Sequence, residues 1–278
     1  MHKNMPPKNR MTPAHINDSS LETSSGMQYS YTEFKNLILK GRQSKVPLET
    51  PFLITEHSKH LQVLCSEKLH PDALVKGVYI PADYLYTQGP NVLALIASKL
   101  ALNKTLFARS CQYLQVNKPE AEDFLKRYHL MGATNSGFNR GLFYKNELVA
   151  LASFSKGRKM NRLLPHQRSY ELIRFCSKNG ITVTGGLSKL VKNFCDEKKA
   201  GDIMTYIDKQ MASGQAYQRC GFKVHSHTPP NAYLVNRNTK QREALEVNAP
   251  SFNTALYDLR HNEGNIKLVY TPQHHVIQ

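Results

Sequence analysis

A pair of adjacent glycines constrains this chain most. Gly185-Gly186-Leu187-Ser188-Lys189-Leu190 lies where a strand-like segment gives way to a helix. Upstream, Tyr170–Cys176 is an apolar run closed by the turn signal Lys178-Asn179-Gly180, and it reads as a buried strand. Downstream, Leu187, Leu190, Val191, Phe194 and Cys195 recur at helical spacing and form one apolar face. Two glycines at such a junction let the backbone take positive φ and approach a ligand closely. The amides that open a helix then favour an anion, and Lys189 and Lys192 add positive charge. Strand, glycine turn and helix make either a phosphate or pyrophosphate cradle or simply a tight connection. Walker lysine spacing and Gly-x-Gly-x-x-Gly are both missing, which removes the usual support for nucleoside-triphosphate and dinucleotide binding.

The segments that follow sharpen this. Asp202–Asp208 is a second strand-like run, and the small polar turn Ala212-Ser213-Gly214 leads into Gln215–Phe222. This order resembles the acyl-CoA-binding half of the GCN5-related N-acetyltransferases (GNAT). In that superfamily a splayed strand feeds a glycine loop for the pyrophosphate of coenzyme A, and a later helix ends in Tyr-x-x-x-Gly-Phe. Tyr217, Gly221 and Phe222 match that ending. A subgroup from phages and mobile elements is similar over about 107–270. Its blocks correspond here to Ala108-Arg109, Phe124–Gly132, Gly141–Tyr144, Tyr170–Cys176, Gly185–Leu190, Tyr206–Asp208 and Tyr217–Phe222. That subgroup is distantly similar to Mom-type proteins that acylate adenine in DNA.

The resemblance implies a mixed, mostly antiparallel α/β sheet with a splayed central strand pair and flanking helices, plus a small N-terminal α/β region. It implies acetyl-CoA or another acyl-CoA as cofactor, held by Thr184, Gly185, Gly186, Leu187, Ser188 and Lys189. Tyr217 takes the place of the general acid, with a core or cap tyrosine as its structural alternative. Two departures stand against it. Val183-Thr184 occupies the place of the usual Arg or Gln donor, and Lys209-Gln210-Met211 that of the subgroup's Arg-Arg-Trp. A non-catalytic, basic nucleic-acid-binding relative is therefore the alternative.

Charge supports a polyanionic partner. The formal net charge is +16, and eleven Lys/Arg against two acids between Arg140 and Lys192 contribute +9 of it. Nucleic acid and the phosphates of coenzyme A both satisfy such a surface. Arg158, Lys159 and Arg162 sit on a basic loop expected to cross the mouth of the cleft and to bind nucleic acid. No stretch approaches the ~20 continuous apolar residues of a membrane span. Five dispersed cysteines without Cys-x-x-Cys spacing read as free thiols in a reducing cytoplasm.

Residues 1–27 read as a flexible tail, 28–105 as an accessory α/β region, 106–245 as the acyltransferase-like domain, and 246–278 as an extension packing on it. Ser30-Tyr31-Thr32-Glu33 is a capping box that opens a helix. Pro51–Thr55 and Val78–Pro81 read as strands, Leu61, Leu64, Cys65 and Leu69 as one face of a helix, and Val92–Leu102 as another helix. Pro119 starts an amphipathic helix, and a hairpin turns at Lys145-Asn146.

Acyl transfer to an amine needs a proton acceptor and donors for the thioester carbonyl. Glu171 is the candidate base or substrate clamp, with an arginine pair as its structural role. Asp208 is either acceptor-facing or part of a turn or salt bridge, and His129 complements a helix end, with acceptor contact as its alternative. His225, His227, His274 and His275 lack the spaced ligands of a zinc site, so no metal is expected. No Gly-x-Ser-x-Gly elbow supports a hydrolase.

Overall fold

Ser30 and Glu33 cap the first helix reciprocally: the Glu33 amide donates to Ser30 Oγ at 3.1 Å, and the Ser30 amide to Glu33 Oε2 at 2.7 Å. This is seen in a computed structural model that describes residues 27–67, 77–245 and 252–272. Nearly all of the expected tail lies outside the described residues, as do Leu69, His274 and His275.

The N-terminal region runs β1 (Gln28–Ser30), α1 (Tyr31–Leu39), β2 (Phe52–Glu56), β3 (Lys59–Ser66), β4 (Val78–Pro81), α2 (Ala82–Thr87) and α3 (Gly89–Lys99). Its sheet has the order β1-β2-β3-β4. Phe34 and Ile38 of α1 pack with Phe52, Ile54, Val63, Ile80 and Ile96 in a core of their own. The segment read as a helix through Leu61, Leu64 and Cys65 is strand β3. It is an inner strand, and its last four residues are buried. Burial on both faces erases the alternation that distinguishes a strand from a helix.

The rest of the chain continues as β5 (Lys104–Phe107), β6 (Gln112–Gln115), α4 (Lys118–Tyr128), β7 (Phe138–Tyr144), β8 (Glu147–Phe154), β9 (Ser169–Ser177), β10 (Ile181–Thr184) and α5 (Gly186–Lys198). Then come β11 (Asp202–Asp208), α6 (Gln215–Arg219), β12 (Lys223–His227), β13 (Ala232–Asn236), β14 (Arg242–Ala244), β15 (Tyr257–His261) and β16 (Asn265–Tyr270). Seven strands form one sheet in the order β12-β16-β11-β9-β8-β7-β6. Every neighbouring pair is antiparallel except β9 and β11. The fold is mixed α/β with the sheet between helices.

On one face, Leu187, Leu190, Val191, Phe194 and Cys195 of α5 pack against the sheet. Phe194 stacks on Phe154 with ring centroids 3.8 Å apart; burial of each such side chain contributes about 1.5–3 kcal/mol. On the other, Phe124 and Leu125 of α4 meet Leu148 and Leu151. Lys145 and Asn146 turn the β7–β8 hairpin at φ 51° and 64°, as their sequence indicates.

The last strand completes the core sheet. β16 lies inside it, between β12 and β11. Its apolar pattern is weak because it pairs on both edges while its faces stay half-exposed. Between β12 and β16 the chain builds a separate three-stranded sheet, β14-β13-β15. That sheet is tied to the N-terminal region by Arg242, which pairs with buried Asp83 and lies 4.0 and 4.1 Å from the ring centroids of Tyr84 and Tyr233.

Candidate active site

β9 and β11 share a ladder over three residues only, from Ser169 opposite Asp202 to Glu171 opposite Met204. Where the next rung falls, the Thr205 hydroxyl donates to the Leu172 carbonyl at 2.9 Å. Beyond it the strands part. A bulge in β9 marks the parting: Leu172 opposes Phe154 and Arg174 opposes Ser153, so Ile173 is the extra residue. A bulge bends its strand and shifts the side-chain alternation by one. Tyr170 and Leu172 therefore face α5, whereas after the bulge Phe175 faces α5 and Cys176 packs on the α4 side. By that alternation Glu171 and Arg174 share the α4 face.

The glycine turn opens at the parted end. Gly185 adopts φ 76°, ψ 5° and caps α5, a left-handed conformation that favours glycine. Thr184 and Gly185 are exposed, while Gly186 and Leu187 are buried. At Gly186 a Cβ would lie 3.1 Å from the Val183 Cβ, so the turn packs closely on its own strand. The Gly186 and Leu187 amides have no acceptor among the described residues. The Ser188 amide turns instead to the Cys220 sulfur. Exposed turn, left-handed glycine and unpaired amides fit a diphosphate linker.

Two parts of the sequence reading change here. The strand feeding the turn is β10, a separate short strand that pairs in parallel with β5. This sets Thr184 opposite Phe107, which is exposed and carries the Arg109 guanidinium 5.1 Å from its ring centroid. Lys189, counted as a phosphate contact, has its ammonium engaged within the chain: it donates to the Ala108 and Cys111 carbonyls at 3.0 and 2.6 Å. Lys192 stays exposed.

Tyr217 on α6 follows the parted end of β11. Its ring packs edge-on against Phe222 with centroids 5.6 Å apart. Burial pushes its phenol up to about 12, and the nearby thiols of Cys220 and of Cys176 on β9 push the same way. The phenol therefore keeps its proton at neutral pH.

Asp208 is half-buried at the end of β11. Its carboxylate accepts from Asn262 Nδ2 and from the Gln210 amide, both at 2.9 Å, and so closes the turn after β11. Glu171 is half-buried and makes no ion pair among the described residues.

The basic loop is not at the mouth. Arg158 bridges to Ser169, the first residue of β9, and Arg162 pairs with Asp202, the first of β11, at 2.6 Å. Both anchor the loop at the paired end of the strands, and the guanidinium of Arg162 is engaged there. Arg158 and Lys159 are exposed.

His129 ends α4, and burial lowers its imidazole to about 3, helped by the charge of Arg174. Its Nδ1 accepts from the Met131 amide at 3.1 Å. The sequence singles out neither Thr205 nor Arg174; both acquire their positions from the bulge and the end of the ladder. Among the described residues no three His, Cys, Asp or Glu side chains come together to hold a metal, and no helix is long and apolar enough to cross a membrane.

No protein-family model matches the chain, and no curated protein matches it. Among solved structures, an acetyltransferase of Bacillus subtilis in complex with CoA is similar at 15% identity, covering 58% of this chain and 99% of that one, with a TM-score of 0.36. A GNAT family acetyltransferase from Elizabethkingia anophelis with acetyl-CoA bound is 14% identical over 59% and 99%, with a TM-score of 0.37. The IAA acetyltransferase of Bacillus cereus is 12% identical over 59% and 100%, with a TM-score of 0.36. Likeness at this level carries no weight of its own; the strand order and the parting of β9 from β11 rest on this chain's own hydrogen bonds.

Proposed function

We propose that this protein is an acyl-CoA-dependent N-acyltransferase with a GNAT-like core. One observation carries the reading: the one parallel pair of the seven-stranded sheet, β9 with β11, parts at the end where a glycine turn presents unpaired amides. Beyond Leu172 the inner edge of β9 has lost its β11 partner, and such an edge receives an extended linker by strand addition. The Gly186 and Leu187 amides receive the diphosphate. When bound, acyl-CoA supplies the acyl group as an activated thioester. Tyr217 holds a proton at its phenol oxygen and delivers it to the leaving sulfur. Glu171, on the α4 face beside the parting, takes the proton that the acceptor amine loses. Asp208 closes its turn and takes no part in the transfer.

Five free thiols, three of them buried, support a reducing compartment such as the cytoplasm. A nucleic-acid amine is the finer acceptor reading. The exposed Lys156, Arg158 and Lys159 favour it as a docking surface, but they lie at the opposite end of β9 from the glycine turn, up to ~25 Å along a nine-residue strand. If the chain instead binds nucleic acid without catalysis, the same loop carries that binding.

The test uses acetyl-CoA and two variants with equal backbone demands. Gly185→Asn and Gly185→Asp both tolerate left-handed φ better than other residues, and a Cβ there meets the Ala108 Cβ at an ordinary 3.6 Å. Calorimetry should show wild type and Gly185→Asn binding acetyl-CoA, with Gly185→Asp losing at least about tenfold in affinity through charge repulsion at the helix start. Equal affinities for the two variants would falsify the placement of the diphosphate.

A further inference from the structure

Three arginines of the core and its inserted sheet, Arg140, Arg162 and Arg242, each hold a carboxylate through Nε and Nη2. Arg140 donates through Nε and Nη2 to Glu197, the former at 2.7 Å. Arg162 uses Nε and Nη2 on Asp202 at 3.1 and 2.6 Å. Arg242 uses the same two nitrogens on Asp83, with Nη2 at 3.1 Å. Arg174 is half-buried, and its corresponding edge is empty. Nη1 donates to the Ile173 carbonyl at 2.9 Å, Nε is buried without a partner, and Nη2 has none among the described residues while keeping contact with solvent.

An empty donor edge at this position is costly to the fold. A desolvated charge without an ion pair destabilises its protein, and burial lowers the Arg174 guanidinium from its ordinary value. Glu171 and Tyr84 lie within electrostatic reach without pairing to it, and His129 beside it is neutral. Arg174 also sits one residue past the bulge, on the face that it shares with Glu171 at the parting of the strands.

We infer that Arg174 binds an oxyanion of the acceptor substrate through Nε and Nη2. The acceptor is then an amine carrying a carboxylate or a phosphate a few bonds from the nitrogen, held with its amine toward Glu171. This deepens the acyltransferase reading and rests on it. A planar guanidinium edge suits both anions, so an amino-acid-like and a nucleotide-like acceptor share the chemistry.

The test is a nuclear magnetic resonance titration of the arginine Nε–H signals of the full chain, with inorganic phosphate in one arm and acetate in the other. Arg174→Lys identifies the Arg174 signal. Expected is a saturable shift of that signal while those of Arg140 and Arg242 stay in place. The arm that saturates first names the phosphate- or carboxylate-bearing class. Arg174→Gln should remove the shifting signal and leave the other arginine signals unmoved by either anion. An Arg174 signal unmoved in both arms overturns the inference. So does unfolding of Arg174→Met, which would give the guanidinium a structural role; expected is an unchanged or raised melting temperature. Acetyl-CoA calorimetry on the same samples separates the two readings. Acetyl-CoA binding without an anion response removes the Arg174 site alone, and an anion response without acetyl-CoA binding removes the transferase and leaves the anion site.

Discussion

The two ends of strand β9 obey opposite rules. At its start the charges are paired within the chain: β9 and β11 are laddered, and Arg162 holds Oδ2 of Asp202, the first residue of β11, while approaching Ser169 Oγ at 3.5 Å. Only Asp202 Oδ1 there is buried without a partner among the described residues. Toward its end the ladder stops, a bulge re-aims the chain, and Arg174 keeps an unpaired donor edge. Both ends carry an arginine on a strand pair, so residue type does not separate them. What separates them is whether a partner inside the chain satisfies the group. Structure is built where it does, and a ligand is awaited where it does not. The sharpest way to break this contrast is to remove each charge in turn. Arg162→Met leaves Asp202 buried without its partner and should cost ~3 kcal/mol, toward the low side because the Arg162 side chain is 41% exposed. Arg174→Met should cost nothing or stabilise. Urea denaturation of both variants measures the difference, and equal losses would erase the contrast.

A smaller effect follows from His129, the titratable neighbour of Arg174. Its folded pKa of about 3 lies below the unfolded value of 6.5, so the unfolded chain takes up a proton that the folded chain refuses. The contribution is complete above pH 6.5 and is lost as pH falls from there toward 3. At pH 5 the loss is about 2 kcal/mol. His129→Asn keeps an acceptor for the Met131 amide and removes the titration. Its stability should change less between pH 7 and 5 than that of the wild type. A wild-type curve that is flat over this range would show the imidazole free to charge.

Much of the arrangement could be read from residues whose environment is local. Ser30 and Glu33 cap a helix through neighbours three positions apart, Lys145 and Asn146 turn a hairpin, and the stripe from Leu187 to Cys195 buries one helical face. None of these depends on a distant segment. The misreadings share the opposite cause. β3 resembled a helix because its neighbours bury both faces, and β10 had no signal because four residues acquire strand identity only by pairing with β5. The Lys189 ammonium is held by the carbonyls of Ala108 and Cys111, some eighty residues upstream. The sequence assigns Arg162 to nucleic acid, and nothing local shows that Asp202, forty residues later, pairs with it. Within the site, Gly185 and Tyr217 were legible, since motif and helix junction are local. Arg174 was not, because one extra residue at Ile173 decides which way it faces.

The smallest effect concerns the point where the two ends meet. Thr205 is buried, and its hydroxyl reaches the Leu172 carbonyl where a fourth rung of the β9–β11 ladder falls. A backbone amide there would continue the pairing and hold the strands together; a side-chain oxygen satisfies the carbonyl and lets them diverge. Thr205→Val keeps the shape but leaves that carbonyl without this donor, which should cost about 1 kcal/mol. Thr205→Ser keeps the hydroxyl and should recover much of it, less the lost methyl. Because the change is confined to the branching point, amide exchange should accelerate locally around Leu172 and Ile173, while the paired residues Tyr170 and Ile203 stay protected. Uniform acceleration along β9 would mean that the two ends unfold as one unit, and that the parting is a property of the whole strand instead of a junction set by a single hydroxyl.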